Sequence, residues 1–164
     1  MLRSKEMYLD MRMVQARLSQ LDHSILPARI RRGLRAAGSK LMQDSVVGLP
    51  TMPIRRPGYP EGDSRVPGEL RASGALFVDG VKKGNTMDYG EGATGKYQPH
   101  TYGGTAISKL GHEACVVFNA PYATIQHETF PNKTEQNANI HFMSDKLAMN
   151  GPEYVAIIAR VIKL

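Results

Sequence analysis

Between residues 48 and 68 the chain carries five prolines, and between 84 and 104 it carries six glycines with no Leu, Ile, Val or Phe. Neither stretch has the apolar periodicity by which a helix or strand attaches itself to a core. A chain of 164 residues must then build its interior from the region before 48, a short piece between the two stretches, and the region after 104. Proline-rich backbone favours extended conformations with solvated amides, so 48–68 reads as an arm, either a mobile linker or a segment ordered against another subunit. A loop as long as 84–104 in a compact chain is usually functional or disordered, and Tyr89, Tyr97 and Tyr102 suit it to a contact surface. Both stretches are expected to contribute little to this chain's own core.

The remaining segments show clearer periods. Met7, Met11, Val14, Leu18, Leu21 and Ile25 are spaced 4, 3, 4, 3, 4 and line a narrow apolar seam on one helix. Leu26-Pro27 ends it, because the residue before proline is pushed out of the helical region, while Pro27 suits the first turn of a new helix. That second helix is expected over 28–47, with Ile30, Leu34, Ala37 and Leu41 on one face and Arg31, Arg32, Arg35 and Lys40 mostly off it. Gly33 and Gly38 each cost roughly 1 kcal/mol against Ala there, which points to close packing on a sheet or another helix.

Alternating Leu70, Ala72, Gly74, Leu76 and Val78 predict a strand over 70–81, and the β-branched run at 113–119 predicts its buried partner, closed by Asn119-Ala120-Pro121. Near the C-terminus, Ser144 is a plausible cap, Asn150-Gly151 a stop and Pro152 a restart. Tyr154, Val155, Ile158, Val161 and Ile162 then give an amphipathic last helix. The length fits one domain, organised as a helical region 1–47, the arm 48–68 and a core region 69–164.

The net charge of +6 is concentrated: residues 1–56 hold eleven Lys/Arg against four Asp/Glu, and residues 57–164 hold ten against eleven. A basic face of this kind can meet water, acidic partner subunits or phosphates alike. Cys115 is alone, so no disulfide forms within one chain, and its apolar neighbours make it a buried hydrophobe with a disfavoured thiolate. The first residues lack the apolar centre of a signal peptide, and no apolar run approaches ~20 residues. A soluble protein made in the cytoplasm, without membrane contact, is the expectation.

The residues that could carry chemistry are poorly arranged for it along the chain. His112-Glu113 and His127-Glu128 lack the four-residue histidine spacing of a zinc helix, and His141 is far away in sequence, so no metal or other cofactor is expected. Gly90-Glu91-Gly92-Ala93-Thr94-Gly95 falls short of a dinucleotide loop, since the second and third glycines are one residue too close and no apolar helix follows. There is no nucleophile elbow, and no catalytic residue is assigned. Arg29, Arg31, Arg32 and Arg35 on one helix, with tyrosines to stack bases, leave room for loose attraction to nucleic acid but match no sequence-reading motif.

Arg65-Val66-Pro67-Gly68-Glu69-Leu70-Arg71-Ala72-Ser73-Gly74 resembles the Pro-x-Asp-Thr-Gly-x-Leu-Arg-x-Ser signature of phage minor capsid and tail-completion proteins, with Val66-Pro67 standing for the Asp-Thr. Asn119-Ala120-Pro121-Tyr122-Ala123, His127-Glu128 and His141-Phe142-Met143 follow in the family's order, before a C-terminal helix. The resemblance spans roughly 28–164 and implies an α+β domain, an antiparallel sheet with N-terminal and C-terminal helices packed on one face. It further implies a non-enzymatic virion protein of the tailed-phage neck, assembled as a hexameric or dodecameric ring. Its partners would be a head-side connector or portal adaptor and a tail terminator or tail tube, with loose contact to DNA in the channel. A tail terminator or another minor capsid component is the neighbouring reading, and a nucleic-acid-binding protein or a small metal-dependent hydrolase would be different classes. Interface roles fall on Arg31, Arg32, Arg35, Arg71, Tyr89, Tyr97, Tyr102, Tyr122, His127 and Glu128. In this reading Arg71 points outward to an acidic partner while Leu70 points inward.

Overall fold

The computed structural model describes residues 25–48, 52, 68–89, 97–99, 112–128 and 140–163. In chain order the elements are α1 (Leu26–Val47), the single turn α2 (Glu69–Ala72), β1 (Gly74–Val78), β2 (Val81–Asn85), a 3-10 turn (Thr86–Tyr89), β3 (Ala114–Phe118), α3 (Ala123–Glu128) and α4 (Ser144–Ile162). Helices combine with a three-stranded antiparallel sheet, so the α+β class read from the sequence is the one observed. The helix expected over 7–25 and most of the two long stretches lie outside the described residues.

Helix α1 starts with Pro27 in its first turn, where a missing amide removes no helical bond. Its two glycines are its points of closest approach. A Cβ on Gly38 would lie 2.5 Å from Leu76 Cδ1 of β1, and one on Gly33 would lie 3.2 Å from the Ile158 Cα of α4. The residues that weaken the helix locally therefore let it press on the sheet with one face and on α4 with another. The two long helices run antiparallel, because Arg29 near the start of α1 donates to the Lys163 carbonyl at 2.9 Å while Asp44 near its end meets Asn150 and Tyr154.

Strand order is β2-β1-β3, with β1 in the centre and buried along its whole length. Leu76 and Val78 face α1 and cluster with Met42, Leu34, Ala114 and Val116. The strand expected over 70–81 is corrected at both ends. Glu69–Ala72 forms a helical turn entered through Gly68 at φ 81, and the chain reverses at Asp79-Gly80. Asp79 (φ 49) and Gly80 (φ 75) both have positive φ, as a two-residue hairpin turn matching strand twist requires. The return strand β2 was not expected. Its pairing skips Lys83 between the partners Phe77↔Lys82 and Leu76↔Gly84, a bulge. β3 pairs with β1 from Gly74↔Phe118 to Val78↔Ala114, so the partner strand is where the sequence put it. It is a half-buried edge rather than a buried strand, and Cys115 is half-buried with it.

The second apolar cluster joins pieces distant in sequence: Val46, Met52, Leu70, Ala120, Ala123 and Phe142, with Tyr97, Phe118, Tyr122 and Met143 against them. Phe118 and Phe142 meet edge-to-face at 5.7 Å, a geometry aromatic quadrupoles favour. Both apolar-poor stretches reach this core after all. Met52 is fully buried, and Thr86 is fully buried with its hydroxyl accepting the Gly74 amide at 2.9 Å. Gln98 donates to the Ala72 and Gly74 carbonyls at 2.6 and 2.8 Å. Single side chains, which periodicity cannot detect, do the anchoring.

α4 runs unbroken through Pro152, against the expected stop at Asn150-Gly151. Proline removes one helical hydrogen bond, but side chains on both sides of it fasten to α1. Asn150 Nδ2 and Tyr154 Oη donate to Asp44 Oδ2 at 3.4 and 2.9 Å, and Lys40 Nζ donates to Asp44 Oδ1 at 2.5 Å. Burial pushes the Tyr154 hydroxyl's pKa up to about 12. Ser144 is the first helical residue and makes no cap bond, and Val155, expected on the buried face, is exposed.

Candidate functional site

Two polar clusters sit at the margins of the apolar cores. The first gathers on the hairpin turn. Asp79 Oδ2 accepts Arg31 Nε at 2.6 Å, and Asp79 Oδ1 accepts the Glu113 amide at 3.0 Å. His112 Nδ1 lies 3.0 Å from Oδ2, and because a carboxylate only accepts, that nitrogen carries the proton. Burial acts to raise the Asp79 pKa, but Arg31, the Glu113 amide and His112 outweigh it and leave the carboxyl below its ordinary value. One turn residue thus ties α1, the hairpin and the start of β3 together.

Beside this hub, Arg31, Arg32, Arg35 and Lys83 line one cleft with Val78 and Val81. Lys83 reaches the same cleft as Val81, two residues before it in β2, as strand alternation places it. Among the described residues Arg32, Arg35 and Lys83 make no ion pair, whereas Arg31 is committed to Asp79 and Arg29 to the Lys163 carbonyl just past α4. The cleft carries four cations against the one Asp79 carboxylate, with Val78 and Val81 as its apolar lining.

The second cluster sits where α3 meets the start of α4. The His141 amide donates to the His127 carbonyl at 2.8 Å, which brings the two rings edge-to-face at 5.4 Å. Glu128 Oε1 lies 2.7 Å from His127 Nδ1, and Glu128 Oε2 lies 3.9 Å from His141 Nδ1. His127 also rests on the Phe142 ring at 5.0 Å, and its Nε2 faces the Ser144 hydroxyl at 3.4 Å. His141 holds this place at φ 60, a left-handed conformation uncommon for residues other than glycine. The chain separation that argued against a local site is closed by the fold, and the two histidines and the carboxylate form one group.

The other residues singled out in the sequence divide between these clusters and the core. Arg71 is corrected: it does not reach outward but donates through Nε and Nη2 to the Met52 carbonyl at 3.0 and 2.5 Å, holding part of the 48–68 stretch on the domain. Tyr97 and Tyr122 pack on the second apolar cluster. Tyr89 ends the 3-10 turn, and Tyr102 lies outside the described residues. Asp79, His112, Lys83 and His141 were not expected to act in a site. Asp79 had a signal, since Asp-Gly between valines is a strong hairpin mark. His141 had none, because nothing local in the chain says which residue the turn will lay against His127.

Comparison of the chain with family models, with curated proteins and with solved structures finds no match. Among the described residues no helix is long and apolar enough to cross a membrane.

Proposed function

We propose that the chain is a non-enzymatic structural protein of a tailed-bacteriophage virion, one subunit of a homo-oligomeric ring in the neck between the head-side connector and the tail. The observation that carries this reading is the convergence of the signature segments. Leu70 of the first, Ala120, Tyr122 and Ala123 of the second, and Phe142 and Met143 of the last pack in one cluster. Segments that resemble the family in order thus pack together here, as the reading requires, alongside Val46, Met52, Tyr97 and Phe118. Large apolar side chains left exposed on α3 and α4, among them Ile125, Leu147, Met149 (67 %) and Val155 (66 %), suit contact with neighbouring subunits.

The test is the mass of the purified protein, alone and mixed with a connector, together with its presence in purified particles. Ring-sized assemblies and a virion location are expected. A protein that stays monomeric with its connector and is missing from particles would refute the proposal.

The cationic cleft favours a second, compatible role, loose contact with the phosphates of DNA in the channel. Lys and Arg bound to phosphates release counterions, so such binding weakens steeply with salt. Arg32→Glu combined with Arg35→Glu is expected to abolish retention on DNA at low salt without changing the melting temperature. Unchanged retention would remove this role.

A further inference from the structure

The geometry points to a binding site for a zinc-class divalent cation formed by His127, Glu128 and His141, clamping the end of α3 to the start of α4. One ligand atom from each residue lies within 4.8 Å of the others. Two imidazoles and one carboxylate form a donor set that suits zinc, nickel or cobalt, and that oxygen-seeking magnesium and calcium disfavour. Three protein ligands are also the usual complement of an open zinc site, with the fourth position left to water.

The ligand atoms, all within 4.8 Å of one another, lie near the spacing of a metal's coordination shell. Metal–ligand bonds of about 2.0–2.1 Å in a tetrahedron place ligand atoms about 3.3 Å apart. The 2.7 Å contact of Glu128 with His127 has to open and the 3.9 Å contact with His141 has to close. Glu128 is the most exposed of the three side chains and is free to make both changes by rotation.

His127 is prepared from both sides. Without metal, its Nδ1–H donates to Glu128, and Nε2 accepts from Ser144. When the cation takes Nδ1, the ring changes tautomer: its proton passes through solvent from Nδ1 to Nε2, which gives up the long 3.5 Å contact from the Ser144 amide and donates instead to the Ser144 hydroxyl oxygen 3.4 Å away. Metal-bound histidines commonly donate their second N–H to such an outer partner. The Phe142 ring fixes the plane of His127, which limits the freedom lost on binding. The left-handed backbone of His141 further supports the reading. Glycine would adopt φ 60 without a steric cost, so what a histidine adds at this position is its ring. The inference uses none of the observations behind the ring-subunit proposal, but zinc at this open site that supported hydrolysis would overturn the non-enzymatic part of it.

The test is titration of the full-length, metal-stripped protein with zinc chloride, followed by calorimetry and by thermal melting. One zinc per chain and a raised melting temperature are expected, and cobalt in place of zinc should give the intense visible absorption of a tetrahedral site. His127→Ala and His141→Asn should each weaken binding by more than the roughly 10–100-fold that losing an outer partner costs. Asn tolerates positive φ, so His141→Asn keeps the fold while removing the ligand. His23→Ala and His100→Ala serve as comparators and should bind as the wild type does. Absence of stoichiometric zinc, binding that survives His141→Asn in a folded protein, or loss only in the comparators would each overturn the site.

Discussion

Replacing Asp79 separates three things that one side chain does at the hairpin turn. Asp79→Ala removes the acceptor for Arg31, His112 and the Glu113 amide, and leaves a residue with no taste for positive φ at φ 49. Arg31 is 55 % exposed, so its pair with Asp79 is screened and contributes only about 0.2–1 kcal/mol. Each hydrogen bond to the charged carboxylate from the better-shielded groups contributes about 1.5–3 kcal/mol, and left-handed backbone on alanine adds at least about 1. The alanine variant should lose at least about 4 kcal/mol. Asp79→Asn keeps the turn preference and an oxygen for the Glu113 amide, and should lose about 1–2 kcal/mol.

Urea unfolding measures both variants, and pH supplies an independent check on the charge. The folded-state pKa of Asp79 is depressed, so its contribution is fully present above the unfolded value of about 3.9 and is lost as pH falls through the folded value. The wild type's advantage over Asp79→Asn should therefore hold near neutral pH and shrink below about pH 4. Asp79→Asn also releases Arg31 into the cationic cleft and should strengthen retention on DNA at low salt. An asparagine variant as damaged as the alanine one, or an advantage unchanged into acid, would refute the account of Asp79 as a charged hub.

Gly74→Ala should cost about 1–3 kcal/mol despite the entropy that alanine removes from the unfolded chain, because its Cβ would lie 2.4 Å from Thr86 Cγ2 and 2.7 Å from Phe118 Cε1 inside the core. A melting temperature equal to the wild type's would contradict that packing. Tyr154→Phe keeps the ring but takes a donor from Asp44, and should cost about 1.5–3 kcal/mol in chemical denaturation. The folded-state pKa of Tyr154 is raised, so its contribution is present below the unfolded value of 10.0 and is lost as pH climbs towards about 12. The gap between wild type and Tyr154→Phe should narrow over that alkaline window, and a constant gap would count against the buried hydroxyl.

What could be read along the chain was what depends on near neighbours. The helix over 28–47, the strand at 113–119 and the close packing at Gly33 and Gly38 each follow from local period or from the cost of glycine, and the structure places all of them as expected. The errors arose where a distant contact overrides a local signal. Pro152 reads as a restart, yet Asn150 and Tyr154 grip the same Asp44 on either side of it and the helix continues. Alternation carried the strand back to Leu70, yet Gly68 at φ 81 opens a helical turn that drops Leu70 into the core instead. Arg71 reads as an outward charge, but a carbonyl nineteen residues earlier takes two of its donors. The hairpin at Asp79-Gly80 was legible and was masked by a strand period that runs across it.

The two polar clusters share a construction that explains why charge along the chain is a poor guide to them. Asp79 and His141 are the only non-glycine residues with positive φ among the described residues. Asp79 stands at the hairpin reversal and His141 at a bend before α4, and each meets a partner far away in sequence, Asp79 with Arg31 and His141 with His127. A left-handed backbone turns a side chain off the line of its neighbours, and that is what lets it face another element. The cost, of order 1 kcal/mol or more, persists only where surrounding contacts hold the conformation. Here the Asp79 amide donates to the Glu113 carbonyl at 3.0 Å and the His141 amide to the His127 carbonyl at 2.8 Å. The arginine helix works in the opposite sense. Its charges are conspicuous in the sequence, but Arg29 closes the end of α4 and Arg31 is spent on the hairpin, so the cations left to meet a partner on this face are Arg32 and Arg35, completed by Lys83 of β2.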